Sequence, residues 1–327
     1  MIPDIIKNEE YNNITPIRKN NLFKLIFLHI IIIIALYKDI NLTEKNISER
    51  YYEYNKTYEQ CYISSSNSGN RIIHLIITRF MLDLIDKLGN KKLYKEDYIL
   101  NGIRVMKQYL LPSLDNQSCK NFIWVLMLGN GANITYIKTL FNFNISFIYN
   151  IIYEKNIKNY IRNISKSYNI LITTRIDYDD RIYYDAVNDV RKAININKPI
   201  LLYGYNSGVY YFEINDKYYY YYRKIGVSSV FTSLVIILNK VNTIYNVYDL
   251  GSHIHIENNI LNNYKKFGIK EINYKLSIFD NGDPKFVKVI QKYSETRNLV
   301  KSYIKGEKSK EFNINTLYGK TPLFKIN

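Results

Sequence analysis

Apolar positions along this chain fall into short unbroken runs separated by stretches with helical spacing. Arg71 to Thr78 (RIIHLIIT) is β-branched, apolar and brief, the pattern of a strand buried on both faces. Phe122 to Leu128 (FIWVLML), Ser146 to Ile152 and Tyr168 to Thr174 (YNILITT) repeat it. Between them, Glu96 to Leu111, Ile157 to Lys166 and Tyr183 to Ala193 have helical patterning. The first of these helices opens on acidic residues, and Pro112 is expected to stop it. Near-continuous apolar strands alternating with helices predict an α/β domain with a mostly parallel sheet covered on both faces. From Pro199 to Lys224 the chain turns strand-rich and tyrosine-rich, and Asn215-Asp-Lys predicts the turn of an antiparallel hairpin. These tyrosines read either as cross-strand pairs or as aromatic lining of a ligand cleft. Beyond Asn258 the pattern is polar and mixed, and Lys285 to Lys301 reads as a basic helix.

The N-terminal region has a different texture. Leu25 to Tyr37 (LIFLHIIIIIALY) is almost purely apolar, but a helix of that length spans only about 20 Å. Extended to Leu22–Ile40, it is long enough to cross a bilayer if Lys24 reaches the headgroups along its aliphatic stem. A secretory signal with a basic leader and a helix packed on the domain are the other readings. Residues 41–70 are polar and end in Ser-Ser-Ser-Asn-Ser-Gly-Asn, the composition of a tether. The expected organisation is an N-terminal segment 1–40, a stem 41–70, a folded domain 71–260 and a C-terminal extension 261–327 packing on that domain. Arg18, Lys19 and Lys24 before the apolar run favour a cytoplasmic N-terminus for a single-pass anchor, with a peripheral cytoplasmic protein as the alternative. Three sequons, at Asn41, Asn46 and Asn55, carry little weight in a chain so rich in asparagine.

Composition narrows the function classes. The net charge of +16 invites a nucleic-acid or membrane-surface reading, yet the basic residues are scattered and form no arm or RNA-binding signature. No nucleic-acid partner is expected. Cys61 and Cys119 lack metal-ligand spacing and make no disulfide framework, and whether they pair is open.

The chemistry concentrates after the fourth strand. Asp177, Asp179 and Asp180 place three carboxylates within four residues, where ligands bind in open α/β sheets. Like charges this close repel unless a cation neutralises them, and a hard ion such as Mg²⁺ or Mn²⁺ bridges carboxylates to substrate phosphates. In a turn or extended segment Asp177 and Asp179 can aim at one ligand while Tyr178 points away. A solvated turn, or Asp180 as N-cap of a helix starting near Arg181, is the blander reading. Arg79 and Arg175, at predicted strand ends, suit nucleotide or phosphate contacts, or else ion pairs with neighbouring carboxylates.

Four stretches, in order, resemble one family. They are His74-Leu-Ile-Ile-Thr-Arg-Phe80; Leu110-Leu-Pro-Ser-Leu-Asp-Asn-Gln117 with Asn121-Phe-Ile-Trp124; Thr173-Thr-Arg-Ile-Asp-Tyr-Asp-Asp180; and Ser229-Val-Phe-Thr-Ser-Leu-Val235 with Thr243-Ile-Tyr245 and a later His. Together they are similar to the "putative rhamnosyltransferase" family, GT-A-fold glycosyltransferases related to the inverting family 2. The resemblance spans roughly Arg71 to Ile256. It implies transfer of a sugar from a nucleotide-diphosphate donor to a glycan or other hydroxyl acceptor, with a divalent metal. Asp179 looks like the metal ligand, Asp177 like the ribose or metal edge, and Asp180 like their support. A late His often completes the metal shell in GT-A enzymes, which points to His253 or His255. One departure stands out: where the family block leads one to expect an acid after Ser233-Leu-Val235, Ile236 and Ile237 follow. Glu213, Asp216, Asp249 and Glu257 are the remaining candidates for the general base. A catalytically silent sugar-nucleotide binder and a basic surface-binding protein are the competing readings.

Overall fold

The computed structural model describes residues 69–81, 96–141, 143, 145–205, 207–214, 217–224, 231–250, 273–277 and 286–290. For 207–214, 217–224, 273–277 and 286–290 only the backbone is considered. All of them lie in one compact unit, Tyr51–Asn327. The apolar run from Leu22 to Ile40 and the stem 41–70 lie outside the described residues, apart from residues 69 and 70.

Seven strands form the main sheet in the order β10-β6-β9-β4-β1-β2-β3. They are β1 (Ile72–Phe80), β2 (Ile123–Leu128), β3 (Ile148–Tyr153), β4 (Ile170–Arg175), β6 (Ile200–Tyr205), β9 (Thr232–Ile237) and β10 (Asn273–Ser277). β1 sits at the centre, parallel to β2 on one side and β4 on the other. Only β9 runs against its neighbours, pairing antiparallel with both β4 and β6. Every residue of β2, β4, β6 and β9 is buried, as a sheet covered on both faces requires. A second sheet, ordered β5-β11-β7-β8, joins β5 (Asp180–Ile182), β7 (Ser207–Ile214), β8 (Lys217–Lys224) and β11 (Phe286–Ile290). The expected hairpin is β7–β8, closed by the Ile214–Lys217 pair.

Two elements differ from expectation. Pro112 does not stop the first helix. α1 (Glu96–Val105) passes through a π-helical turn, Met106–Leu110, into α2 (Leu111–Asp115), where Pro112 occupies the first turn. A π turn widens the backbone ahead of the ring, and a proline in a first turn forfeits an N–H that has no intrahelical acceptor. Phe286–Ile290, assigned above to a basic helix, is strand β11 between β5 and β7. Its sequence FVKVI is β-branched and apolar, and two strand partners outweigh the basic spacing. Strand β10, within the stretch read as polar and mixed, closes the main sheet against β6.

The remaining helices are α3 (Ile134–Leu140), α4 (Ile157–Ser165) and α5 (Ala186–Lys192). On one face of the sheet, Trp124 is wholly buried among Phe141, Phe147 and Tyr149, and its indole N–H donates to the Thr78 hydroxyl at 3.0 Å. Gly102 of α1 packs so closely on Phe80 that a Cβ there would lie 2.5 Å from the ring. The opposite face carries a smaller cluster, Ile200, Leu202, Leu234, Ile236, Val247 and Leu250, with Tyr245 and Tyr248 against it. Cys119 is fully buried and disulfide-bonded, and Cys61 lies outside the described residues.

A buried polar chain crosses the sheet's centre. His74 Nε2 lies 2.7 Å from Thr174 Oγ1, which lies 2.6 Å from Ser233 Oγ. Burial, with the Arg191 charge nearby, holds the His74 imidazole well below its ordinary value of 6.5. The folded protein therefore keeps His74 neutral where the unfolded chain takes up a proton. Below pH of about 6.5 the unfolded state binds more protons, so stability falls as pH falls, approaching about 1.4 kcal/mol per pH unit from this group. Urea unfolding between pH 5 and 7.5 checks this, and His74→Gln is expected to flatten the slope.

Candidate functional site: the acidic turn and its arginines

β4 delivers the acidic cluster to the carboxyl end of the central strands. Its last ladder bond runs from Ile176 N–H to Ile77 C=O at 3.2 Å, after which the chain turns. Asp180 N–H donates to Asp177 C=O at 3.2 Å, so residues 177–180 form a tight turn with aspartate at its favoured first position. Asp177 and Asp179 are half-buried. Tyr178 between them packs into the core, edge-on to Phe80 with ring centroids 5.4 Å apart. Burial and the adjacent Asp179 push its phenol above the ordinary value, so it stays protonated. The i and i+2 carboxylates are thus at the surface of the turn while the residue between anchors it.

Asp180 differs. It is wholly buried with its neighbour Arg181 in β5, paired across to Lys288 of β11. It is no helix N-cap: α5 begins six residues later, and Asp185 stands before it. The turn feeds a sheet, and the antiparallel pairing with β11 decides its fate. Asp180 therefore stands behind the exposed pair.

The segment leaving the turn is held by residues that the sequence marked only as a motif. Gln117, after α2, donates to Ser113 C=O at 3.0 Å and to Tyr183 C=O at 2.8 Å, and accepts from Val187 N–H at 3.2 Å. The last of these satisfies an otherwise orphaned donor in the first turn of α5. Arg191 of α5 donates to Asn121 C=O at 2.8 Å. The stretches around residues 110–124 and 180–191 are thus stitched together beneath the acidic turn.

Arg79 and Arg175 lie at the ends of β1 and β4. Arg175 pairs in register with Ile77, so it shares a sheet face with Ile77 and with Arg79 two residues further on. Both guanidinium groups approach one ring, that of Tyr248, at 4.9 Å for Arg79 and 5.1 Å for Arg175. Arg175 also pairs with Asp177 at 3.4 Å, the ion pair weighed above. That contact is long, and Arg175 Nη1 is buried with no acceptor among the described residues. Immediately after Arg79 and Phe80 the chain leaves the sheet at Met81, whose φ of 52° is unusual for a side chain of this size. Gly129 N–H holds that corner by donating to Met81 C=O at 3.0 Å.

Asp249, a candidate base, closes a 3₁₀ turn. Its Oδ2 accepts from Asn246 N–H at 2.9 Å and from Asn246 Nδ2 at 2.8 Å, while Oδ1 pairs with Lys158 at 3.3 Å. Asp216, His253, His255 and Glu257 lie outside the described residues, as does the side chain of Glu213. Ile236 and Ile237 are buried within β9, so those positions face the core. Among the described residues no group of three His, Cys, Asp or Glu side chains assembles to hold a metal, and no helix is long and apolar enough to cross a membrane. Tyr248 was not singled out from the sequence, because nothing in spacing distinguishes it among 34 tyrosines.

Solved structures similar to this fold are distant in sequence. Staphylococcus aureus TarS 1-349 in complex with UDP has 12% identity and a TM-score of 0.36, covering 67% of this chain and 60% of its own. The chain thus spans about 60% of the TarS chain. The 4-diphosphocytidyl-2C-methyl-D-erythritol synthase from Anaerococcus prevotii has 10% identity and a TM-score of 0.33, with 73% of this chain and 97% of that one covered. A cytidylyltransferase from Leptospira borgpetersenii has 16% identity and a TM-score of 0.35, covering 75% and 90%. No curated protein matches the chain by sequence. A family model does: that described as "Putative rhamnosyl transferase" matches residues 81–257, more than half of the chain and the whole of the acidic turn. The mostly parallel sheet with its single reversed strand, the acidic turn after β4 and this match agree, and the chain belongs to that rhamnosyl transferase family, built on an α/β domain.

Proposed function

We propose that this protein is a metal-dependent glycosyltransferase, moving a sugar (rhamnose, if the family's name applies) from a nucleoside-diphosphate donor to a glycan or other hydroxyl acceptor. The observation that carries the reading is the half-exposed pair Asp177 and Asp179 beside two arginines at the carboxyl end of parallel strands. Two carboxylates suit a hard divalent ion that fills the rest of its shell with phosphate oxygens and water, so the described donor set fits Mg²⁺ or Mn²⁺. When bound, such an ion offsets the charge that builds on the departing diphosphate. Asp179 and Asp177 hold it, with His253 or His255 as a further ligand. Asp180 supports the turn from behind, and Arg79 and Arg175 offer N–H donors to the diphosphate.

In the transfer step the acceptor oxygen forms a bond to the anomeric carbon as the bond from that carbon to the diphosphate oxygen breaks. The acceptor proton passes to a carboxylate base, for which Glu213, Asp216 and Glu257 are the candidates, because Asp249 is engaged in closing its own turn. One face of attack gives inversion. The apolar segment 22–40 is proposed as a membrane anchor with a cytoplasmic N-terminus.

One observation favours a second reading. Ile236 and Ile237 are buried where the family block led us to expect an acid, which fits a member that binds a sugar nucleotide without turning it over. Incubation with a panel of sugar nucleotides and Mn²⁺, with and without added glycan acceptors, separates the two. Release of nucleoside diphosphate from one donor is expected. Tight binding without release, with every acceptor tried, favours the silent member, and failure to bind any donor contradicts both.

A further inference from the structure

Tyr248 does more than fill space on the sheet face. Its hydroxyl donates to Ile77 C=O at 3.0 Å, the same carbonyl that accepts the last β1–β4 ladder bond from Ile176. The ring is therefore pinned to the point where the two central strands part. Val247, beside it, donates its N–H to Thr173 Oγ1 of β4 at 2.9 Å, so the 3₁₀ turn is fastened to the strand at two adjacent residues. From there the ring meets both guanidinium groups, which share its sheet face. Two like charges beside one another repel, and among the described residues no carboxylate pairs with Arg79. A shared aromatic ring, negative on its faces, attracts both and fixes their separation without neutralising them. Burial also pushes the phenol up, so the hydroxyl remains a donor to Ile77 across the physiological range.

We propose that Tyr248 is the positioning residue of the donor site, holding Arg79 and Arg175 as a preorganised pair for the two phosphates of a nucleoside diphosphate. The inference rests on the donor-site reading above and adds to it the residue that sets the arginines' geometry. Arg175 fits the role in a specific way. Its Nη2 is engaged by Asp177, while Nη1 has no acceptor among the described residues, and a phosphate oxygen supplies one once the arginine turns toward it. A ring that holds by its face alone, without a hydrogen bond, permits that turn.

Calorimetric titration of the full-length protein with inorganic pyrophosphate and Mn²⁺ tests this. Tyr248→Phe keeps the ring and is expected to bind within about threefold of the wild type, whereas Tyr248→Met keeps most of the volume but loses the π face and is expected to bind about tenfold more weakly. In an Arg79→Gln/Arg175→Gln background the Met substitution is expected to cause no further loss. Equal binding by the wild-type and Met proteins overturns the proposal, as does an undiminished Met effect in that background. A wild type that does not bind pyrophosphate at all overturns the donor site itself, and this inference with it. If the Met variant does not fold, the arginine Nε–H proton signals of the wild type decide. Ring-current displacement of both, retained in Tyr248→Phe, supports the proposal, and undisplaced signals overturn it.

Discussion

Asp179→Asn is expected to lower turnover by about 10²-fold or more while leaving the fold intact, the largest effect of any single change at the site. The substitution keeps the shape of the side chain and removes its charge. Asp177 already shares its carboxylate with Arg175, and Asp179 is the other half-buried carboxylate of the turn. Without it the pair becomes one committed carboxylate and one amide, a poor set for a hard divalent ion. Stability is expected to stay level or rise, because three carboxylates within four residues repel one another. Steady-state assay of donor consumption, paired with a thermal unfolding curve, reads both halves. Full turnover in the variant removes Asp179 from the metal site, and loss of activity together with a collapse in unfolding temperature assigns it a structural role instead.

The second large effect belongs to the core. Trp124→Ala is expected to cost about 3–5 kcal/mol of folding stability. The indole is wholly buried in β2, touching the rings of Phe141, Phe147 and Tyr149 at centroid separations of 6.0 to 6.2 Å. Alanine would leave a cavity among rigid aromatic groups that cannot collapse into it. It would also strand the buried hydroxyl of Thr78, which accepts the indole N–H, at a further cost of about 1 kcal/mol. Trp124→Phe retains most of the volume and isolates that hydrogen bond. Urea denaturation of the two variants separates the terms, and a loss under about 1 kcal/mol for the alanine protein would contradict the packing described.

Much of the central sheet was legible because its strands are buried on both faces. RIIHLIIT, FIWVLML and YNILITT need no partner to be recognised, and the register of β1 against β2 and β4 places them together. The hairpin was legible for a different reason, a polar turn between two β-prone runs. What escaped was decided at long range. FVKVI at 286–290 lies in a basic stretch, and only its pairing with β5 and β7 makes it a strand. For Asp180 a helix cap was the alternative to a place in the metal site, and pairing with the same strand removes that alternative. Pro112 is a sound stop signal in an α-helix, but a π turn one step earlier removes the conflict.

The site shows the same division. Chemistry carried by a local cluster, the three aspartates, was visible in the chain, and so were the arginines at two strand ends. Residues that act through others were not. Gln117 works by bridging α2 to the exit of the acidic turn, about seventy residues away in sequence. Tyr248 works by lying over two strands from far downstream. Gln117 was marked only as the end of a motif, without its role, and Tyr248 carries no signal beyond its residue type in a chain with 34 tyrosines.

The account turns on whether a divalent cation joins this acidic turn to a diphosphate. Titration of the full-length protein with UDP, GDP, dTDP and CDP in turn, once in Mn²⁺ and once in EDTA, measures that directly. At least one nucleotide is expected to bind in the presence of the metal and to weaken by tenfold or more, in order of magnitude, when the metal is removed. Binding of equal strength in EDTA, or none under either condition, would contradict it.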